Sequence, residues 1–320
     1  MPRSEISLIR QIRRLSGSFR AASVPLGIGD DASILRIPSG HEALVTTDFS
    51  LEGVHFRCDW HPPESVGHRC LARGLSDIAA MGGEPIAAFL SLALPADIPK
   101  NWVDRFLSGL LALAAEHRVT LAGGDTAQSP GGREAKILAD IVVIGSAPTG
   151  TAVCRAGAKP GDLIYLTGVL GASAHTLEKL SANPRGKLKP ANYPRHFFPE
   201  PRLAVGKYLR QRGLASAMID LSDGLSTDLH HLCQESHVGA SISASLIPRA
   251  PGASLRHALD GGEDYELLFT AAASRKVPVR IAGVPITRIG EISRGKAIQL
   301  ATESKKLPLR AGGWEHFAKR

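Results

Sequence analysis

The chain has 320 residues, 43% of them hydrophobic and 21% charged, with a formal net charge of +8. This is the composition of a globular protein too long for a single core, so two domains are expected, and no apolar run reaches the roughly 20 residues that span a bilayer. Cys58, Cys70, Cys154 and Cys233 lie far apart with no C-x-x-C, which argues against zinc and against a disulfide framework and fits a reducing cytoplasm.

The positive charge is spread along the chain without a long basic run or aromatic interleaving. Nucleic-acid binding is therefore not expected, and anionic small substrates account for the charge as well. The first residues, Met1 to Glu5, lack the apolar stretch and cleavage site of a secretory signal.

In chain order, Ser4 to Leu15 reads as an amphipathic helix, with Leu8, Ile12 and Leu15 on one stripe. Ala43 to Val45 is a short β-prone run that ends on Thr46, Thr47 and Asp48. A helix is predicted from Pro63 to Met81, stopped by Gly82 and Gly83, with Asp77 in its last turn, where the helix dipole disfavours an anion. A strand over Ala87 to Leu94, a helix over Trp102 to Glu116, a strand over Val119 to Ala122 running into Gly123-Gly124-Asp125, and a strand over Ile137 to Ser146 follow. Pro148-Thr149-Gly150 marks a domain boundary. Beyond it come a strand over Leu163 to Thr167, a helix through Leu180, an exposed loop over Asn183 to Pro194 and a helix over Pro201 to Arg212. A strand over Ala217 to Leu221, a helix over Leu225 to Glu235, and strands over Ala240 to Ile247, Leu267 to Ala272 and Val284 to Ile289 complete an α+β pattern with mixed sheets in both halves.

Five acidic clusters punctuate these elements: Gly29-Asp30-Asp31, Thr46-Thr47-Asp48, Ser76-Asp77, Gly124-Asp125 and Asp220-Leu221-Ser222-Asp223. Each alone is ordinary turn or cap chemistry. Gathered in one place, so many carboxylates would repel one another unless hard cations such as Mg²⁺ sat among them, usually with substrate phosphates. Paired glycines at Gly123-Gly124 let backbone N–H groups approach an anion. No G-x-x-x-x-G-K-[ST] is present, and Ala32 stands where a dinucleotide fingerprint needs its third glycine.

Taken together, Gly27-Ile28-Gly29-Asp30-Asp31, Thr47-Asp48 with Glu52-Gly53-Val54-His55-Phe56, Leu75-Ser76-Asp77, Gly123-Gly124-Asp125-Thr126, Asp220-Leu221-Ser222-Asp223-Gly224 and Gly261-Gly262-Glu263-Asp264-Tyr265-Glu266-Leu267 resemble the signature series of the thiamine-monophosphate kinases, in family order and over nearly the whole chain. The resemblance implies the aminoimidazole-ribonucleotide-synthetase-like fold. Residues 1–148 would form an ATP- and Mg²⁺-binding domain that pairs in a homodimer, and residues 149–320 a C-terminal α/β domain. It implies transfer of a phosphoryl group from ATP to thiamine monophosphate, giving thiamine diphosphate. Carried over by motif, Asp31, Thr46, Thr47, Asp48, Asp77, Asp125, Asp220 and Asp223 would hold Mg²⁺, with Asp48, Asp125 and Asp223 central to catalysis. Gly124, Asp125, Arg155 and Ser222 would meet the nucleotide, and His55, Glu263 and Trp314 the thiamine phosphate. His55 also reads as a strand-end hydrogen-bonder and Trp314 as a core anchor. Gly74 stands where the family often has asparagine, and Leu107 where a tyrosine near the nucleotide is expected. A related ATP-dependent synthetase and a basic binding protein without catalysis are the alternative classes.

Overall fold

The computed structural model describes residues 5–17, 21–183 and 188–317. Ser4, the expected start of the first helix, and residues 184–187 of the expected loop lie outside them. The chain divides into two units, and not by a single cut. One comprises Met1–Ile78, Glu84–Gly150 and Phe197–Pro199; the other comprises Ala79–Gly83, Thr151–His196 and Glu200–Arg320. Hydrogen bonds explain the exchanged pieces: Ser65 Oγ donates to the Phe197 carbonyl at 2.8 Å, and Val153 N–H donates to the Met81 carbonyl at 3.0 Å.

The first unit contains α1 (Glu5–Ser16), β1 (His41–Leu51), α2 (Pro63–Ala80, its last two residues counted with the second unit), β2 (Glu84–Leu94), α3 (Lys100–Glu116), β3 (Thr120–Gln128) and β4 (Leu138–Pro148). Its sheet has the order β1-β4-β2-β3, antiparallel except for the parallel β2–β3 pair. One face of each strand is buried: Leu44 on β1, Leu90 and Leu92 on β2, and Ile141 and Val143 on β4. The apolar stripes of α2 and α3, including Leu71, Leu75, Phe106 and Leu110, are buried as well. Each such side chain contributes about 1.5 to 3 kcal/mol by leaving water. The alternate positions of β1 stay open, with Val45 66% and Phe49 61% exposed.

Two strands extend further than their apolar runs. β1 does not stop at Val45 but pairs with β4 along its whole length, so Thr46 and Asp48 sit within the ladder rather than beyond a strand end. β3 continues through Gly123-Gly124-Asp125, because a register slip against β2 absorbs Ala122 as an extra residue. The glycine pair is thus a bulged strand and not a free phosphate loop.

The second unit contains β5 (Leu163–Thr167), α4 (Ala172–Ala182), α5 (Pro194–Phe197, its last residue counted with the first unit), α6 (Leu203–Gln211), β6 (Ala217–Asp220), α7 (Leu225–Glu235), β7 (Gly239–Ser243), α8 (Leu255–Asp260), β8 (Leu267–Ala271), β9 (Arg280–Ile281), β10 (Val284–Ser293), β11 (Ile298–Ala301) and β12 (Lys306–Pro308). The mixed sheet runs β12-β11-β7-β10-β5-β8-β6, with β9 paired to β10 and only β7–β11 parallel. Ile164, Leu166, Ile219, Leu229, Leu268 and Ile289 belong to its core. Both units are therefore α+β with mixed sheets, as the periodicity predicts.

Candidate active site

In the first unit, strand alternation sorts the acidic signature onto two faces. Thr46 and Asp48 point to the helix-covered side, where α2 presents Asp77 and Arg73. Thr46 Oγ1 donates a short hydrogen bond to Asp77 Oδ2. Burial, and then the neighbouring Asp77 carboxylate, push the Asp48 pKa up to about 7, with Arg73 opposing them only in part. The Asp48 and Asp77 carboxyl groups stand close enough for their like charges to hold Asp48 above the usual carboxylate range. Arg73 spends one N–H on the Phe49 carbonyl, at 3.0 Å.

Thr47 faces the opposite, open side and donates to Asp140 Oδ1 at 2.8 Å. Phe49, Asp140, Ser91 and Asp125 pair in succession across β1, β4, β2 and β3, which sets Asp140 and Asp125 on one row of that open face. Asp125 is exposed, and its Oδ1 accepts from Thr126 N–H at 2.8 Å. Asp31 is also exposed, in a loop where its N–H donates to Asp30 Oδ1 at 2.9 Å. The structure thus brings Thr46, Asp48 and Asp77 together and leaves Thr47 and Asp125 on another face. Gly124, at φ +147°, rests so closely on β2 that a Cβ would come 1.8 Å from the Leu90 carbonyl oxygen; no other residue fits.

Two departures from the family pattern have structural reasons. A Cβ at Gly74 would sit 2.6 Å from Val143 Cγ2, so glycine lets α2 seat on β4. Leu107 is fully buried and serves the core of the first unit. The His55 ring is locked at the end of β1, its Nδ1 accepting from Leu51 N–H at 3.0 Å. The strand-end reading of this residue therefore holds for Nδ1.

In the second unit a short stretch gathers the remaining candidates. Ser222 carbonyl accepts from Glu263 N–H at 2.8 Å, and Asp223 carbonyl accepts from Trp314 N–H at 3.0 Å. Adjacent peptides of one turn therefore hold both residues assigned to the thiamine phosphate. Glu263 adopts φ +65°, and Tyr265 φ +50°, so this segment is held in a backbone conformation that side chains resist. Asp220 is buried at the end of β6, Ser222 and Asp223 are half-buried, and Arg155 is exposed. Trp314 is half-buried rather than a core anchor.

Asp228, Asp264, Asp140 and Arg73 were not expected. Asp228, in the first turn of α7, accepts from Asp223 and Gly224 N–H at 3.2 and 3.1 Å. Burial, and then the charge of Asp223, raise its pKa to about 7. Asp223, Asp228 and His231 bring donor atoms within 4.8 Å of one another. Asp264 is half-buried as a residue, but its carboxyl group is withdrawn from water, which pushes its pKa up to about 7. It accepts from Gly171 and Ser173 N–H at 2.5 and 3.2 Å and so caps α4 from the Glu263 loop. A lone carboxylate in an apolar strand was the available signal for Asp140, and an acid in the first helical turn the signal for Asp228.

Family models for AIR synthase related proteins match the chain, the N-terminal domain over residues 29–155 and the C-terminal domain over residues 159–300. The thiamine-monophosphate kinase of Escherichia coli K12 is 38% identical, over 98% of each chain, and that of Bacillus subtilis is 34% identical over 92% of this chain and 94% of its own. The chain belongs to the thiamine-monophosphate kinase family. The crystal structure of thiamine-monophosphate kinase from Stenotrophomonas maltophilia K279a is 34% identical, covers 95% of this chain and 99% of its own, and superposes with a TM-score of 0.80. A structure described as AaThiL complexed with AMPPCP and TMP is 31% identical, covers 98% and 97%, and gives a TM-score of 0.76. The hydrogenase maturation protein HypE in complex with ATP, at 19% identity and a TM-score of 0.77, shares the fold alone.

Proposed function

We propose that this chain transfers the γ-phosphoryl group of ATP directly to thiamine monophosphate, forming thiamine diphosphate and ADP. Family membership across the full length supports the substrate pair, and a relative of the same fold is described in complex with AMPPCP and TMP. The observation that carries the chemistry is the Asp48–Asp77 pair. Two like-charged carboxyl groups brought together, beside the Thr46 hydroxyl that donates to Asp77, form a hard-oxygen donor set that suits Mg²⁺.

Asp48, Asp77 and Thr46 would hold Mg²⁺, with Asp31, Thr47, Asp125, Asp220 and Asp223 as further donors. When bound, such ions neutralise charge on the transferring phosphoryl group. Gly124, Asp125, Arg155 and Ser222 would meet the nucleotide. His55, Glu263 and Trp314 would hold thiamine monophosphate, Trp314 by its ring face against the cationic heterocycle. The acceptor is itself an ionised phosphate, so no strong general base is required, and no cysteine or histidine relay is assigned.

The first unit would serve as the ATP- and Mg²⁺-binding and dimerising domain, broadly residues 1–148, and residues 149–320 as the C-terminal α/β domain. The exposed Val45 and Phe49 on the open face of β1 support a two-fold homodimer. Light scattering at micromolar concentration should give twice the chain mass; a monomer mass counts against it. Unpaired Cys58, Cys70, Cys154 and Cys233 support a cytoplasmic setting. Among the described residues no helix is long and apolar enough to cross a membrane. Scattered basic residues give no footprint for nucleic acid.

Incubation with γ-labelled ATP, Mg²⁺ and thiamine monophosphate should place the label in thiamine diphosphate, with inversion at a chiral phosphorus. Retention, or a labelled protein isolated without acceptor, would overturn the direct route. ATP turnover only with another acceptor would favour the synthetase reading.

A further inference from the structure

We propose that His175, Glu178 and His257 form a binding site for a divalent transition-metal ion of the zinc type, clipping α4 to α8 in the second unit. His175 and Glu178 stand three residues apart on α4, on one helix face. His257 comes from the first turn of α8. His175 Nδ1 lies 3.7 Å from Glu178 Oε2, His257 Nε2 lies 3.4 Å from the same oxygen, and all three donors are within 4.8 Å of one another. Metal bonds of about 2.0 to 2.2 Å in a tetrahedral site place donors roughly 3.3 Å apart. A small rotation of Glu178, 64% exposed, closes the difference.

An independent sign is the state of His175. Its side chain is only 20% exposed, and Nδ1 is shut off from solvent without a hydrogen-bond partner. Buried ring nitrogens ordinarily have one. The other nitrogen, Nε2, lies against Gly252, where a Cβ would approach it to 2.8 Å. Nδ1 is therefore the nitrogen turned toward the triad.

His257 shows what metal binding displaces. Its Nδ1 accepts from Ser254 N–H at 3.3 Å, which leaves the ring proton of the neutral form on Nε2, facing Glu178. Coordination at Nε2 moves that proton to Nδ1 and gives up this long bond. The other half of the capping box, His257 N–H to Ser254 Oγ at 3.1 Å, is kept. Two imidazoles and a carboxylate select zinc, cobalt, nickel or copper over Mg²⁺, so this site differs in kind from the all-oxygen clusters. The cysteine spacing that speaks against a thiolate zinc site has no bearing on it.

The clip would brace the Glu263 loop at both ends. Gly261 N–H, which follows α8, donates to the His257 carbonyl at 3.0 Å, and Asp264 caps α4.

The test is a Co²⁺ titration of the full-length protein in saturating Mg²⁺, followed by visible absorption. One Co²⁺ per chain is expected, with d–d bands, no thiolate charge-transfer band, and displacement by Zn²⁺. Zn²⁺ should raise the melting temperature, as any ligand selective for the folded state does. H175Q and E178Q should each weaken Co²⁺ binding by about tenfold or more, a loss that even outer-shell partners of metal ligands cause. Glu178 is exposed, so E178Q keeps the fold, and its metal-free melting temperature should be unchanged. Undiminished Co²⁺ affinity in both variants, a thiolate band, or no saturable binding would overturn the site. A metal-free melting temperature lowered by E178Q, without Co²⁺ binding to the wild type, would show a plain histidine–carboxylate ion pair instead.

Discussion

Asp48 and Glu266 are both carboxylates removed from water, and they are partnered in opposite ways. Glu266 is completely buried, and Arg202 grips it with two bonds of 2.7 Å. Arg195 adds a third at 3.0 Å, and Thr167 Oγ1 donates at 2.6 Å. Every lone pair is spent on the protein itself. Asp48 faces another acid, Asp77, and its pKa rises to about 7. A carboxylate answered by guanidinium groups is architecture, whereas a carboxylate answered by a carboxylate is the arrangement the proposed Mg²⁺ site would use. Both occur in the acidic signature, and only their surroundings tell them apart.

The contrast breaks first at turnover. D48N and D125N should each reduce kcat/KM by at least about 10³-fold while the denaturation midpoint stays the same or, for D48N, rises as the buried like-charge pair is relieved. Steady-state kinetics beside urea unfolding measures both; retained activity would remove these residues from the chemistry.

E266Q should do the reverse. It leaves Arg202 buried beside a neutral amide, and breaking a buried pair in this way costs about 3 to 5 kcal/mol of stability. Chemical denaturation checks this, and activity lost at unchanged stability would place Glu266 in the site instead.

Asp264 sharpens the comparison through pH. Its pKa in the folded state, about 7, lies above the ordinary 3.8, so between those values the folded chain binds more protons than the unfolded one. Stability should then fall as pH rises through that window, by about 1 kcal/mol per pH unit from this group, with the full penalty present above pH 7. D264N should flatten the slope; an unchanged profile would exclude Asp264 as its source.

The smallest effect belongs to the acceptor side. W314A should weaken thiamine monophosphate binding by roughly 0.5 to 2 kcal/mol and leave ATP binding nearly unchanged, as calorimetry would show.

Much of this was legible in the residues, because apolar periodicity places every helix of more than eight residues and most strands. The six-residue α8 was missed because its capping box, Ser254 with His257, uses histidine where the usual signal is glutamate or glutamine. The strand expected from Ala240 to Ile247 stops at Ser243, and the short β9, β11 and β12 follow from pairing with β10, β7 and β11 in turn rather than from their own patterns. The acidic positions stood out as chemistry, but which face each occupies did not. Neighbouring Thr46 and Thr47 are separated by strand alternation only once β1 is known to run on to Leu51. Asp264 and Glu266 stand in the signature series without an assigned role, and in the fold they are a helix cap and the centre of an arginine clasp.

The central claim, that the Asp48–Asp77 pair forms a Mg²⁺ site, is tested most directly by calorimetric Mg²⁺ titration near pH 6.5, with a non-hydrolysable ATP analogue bound. Repeating it in buffers of different ionisation enthalpy counts the protons released. The wild type should release protons on binding Mg²⁺, its apparent affinity should drop by up to about tenfold per pH unit below pH 7, and both effects should vanish in D48N. Mg²⁺ binding without proton release, or release that persists in D48N, would contradict it.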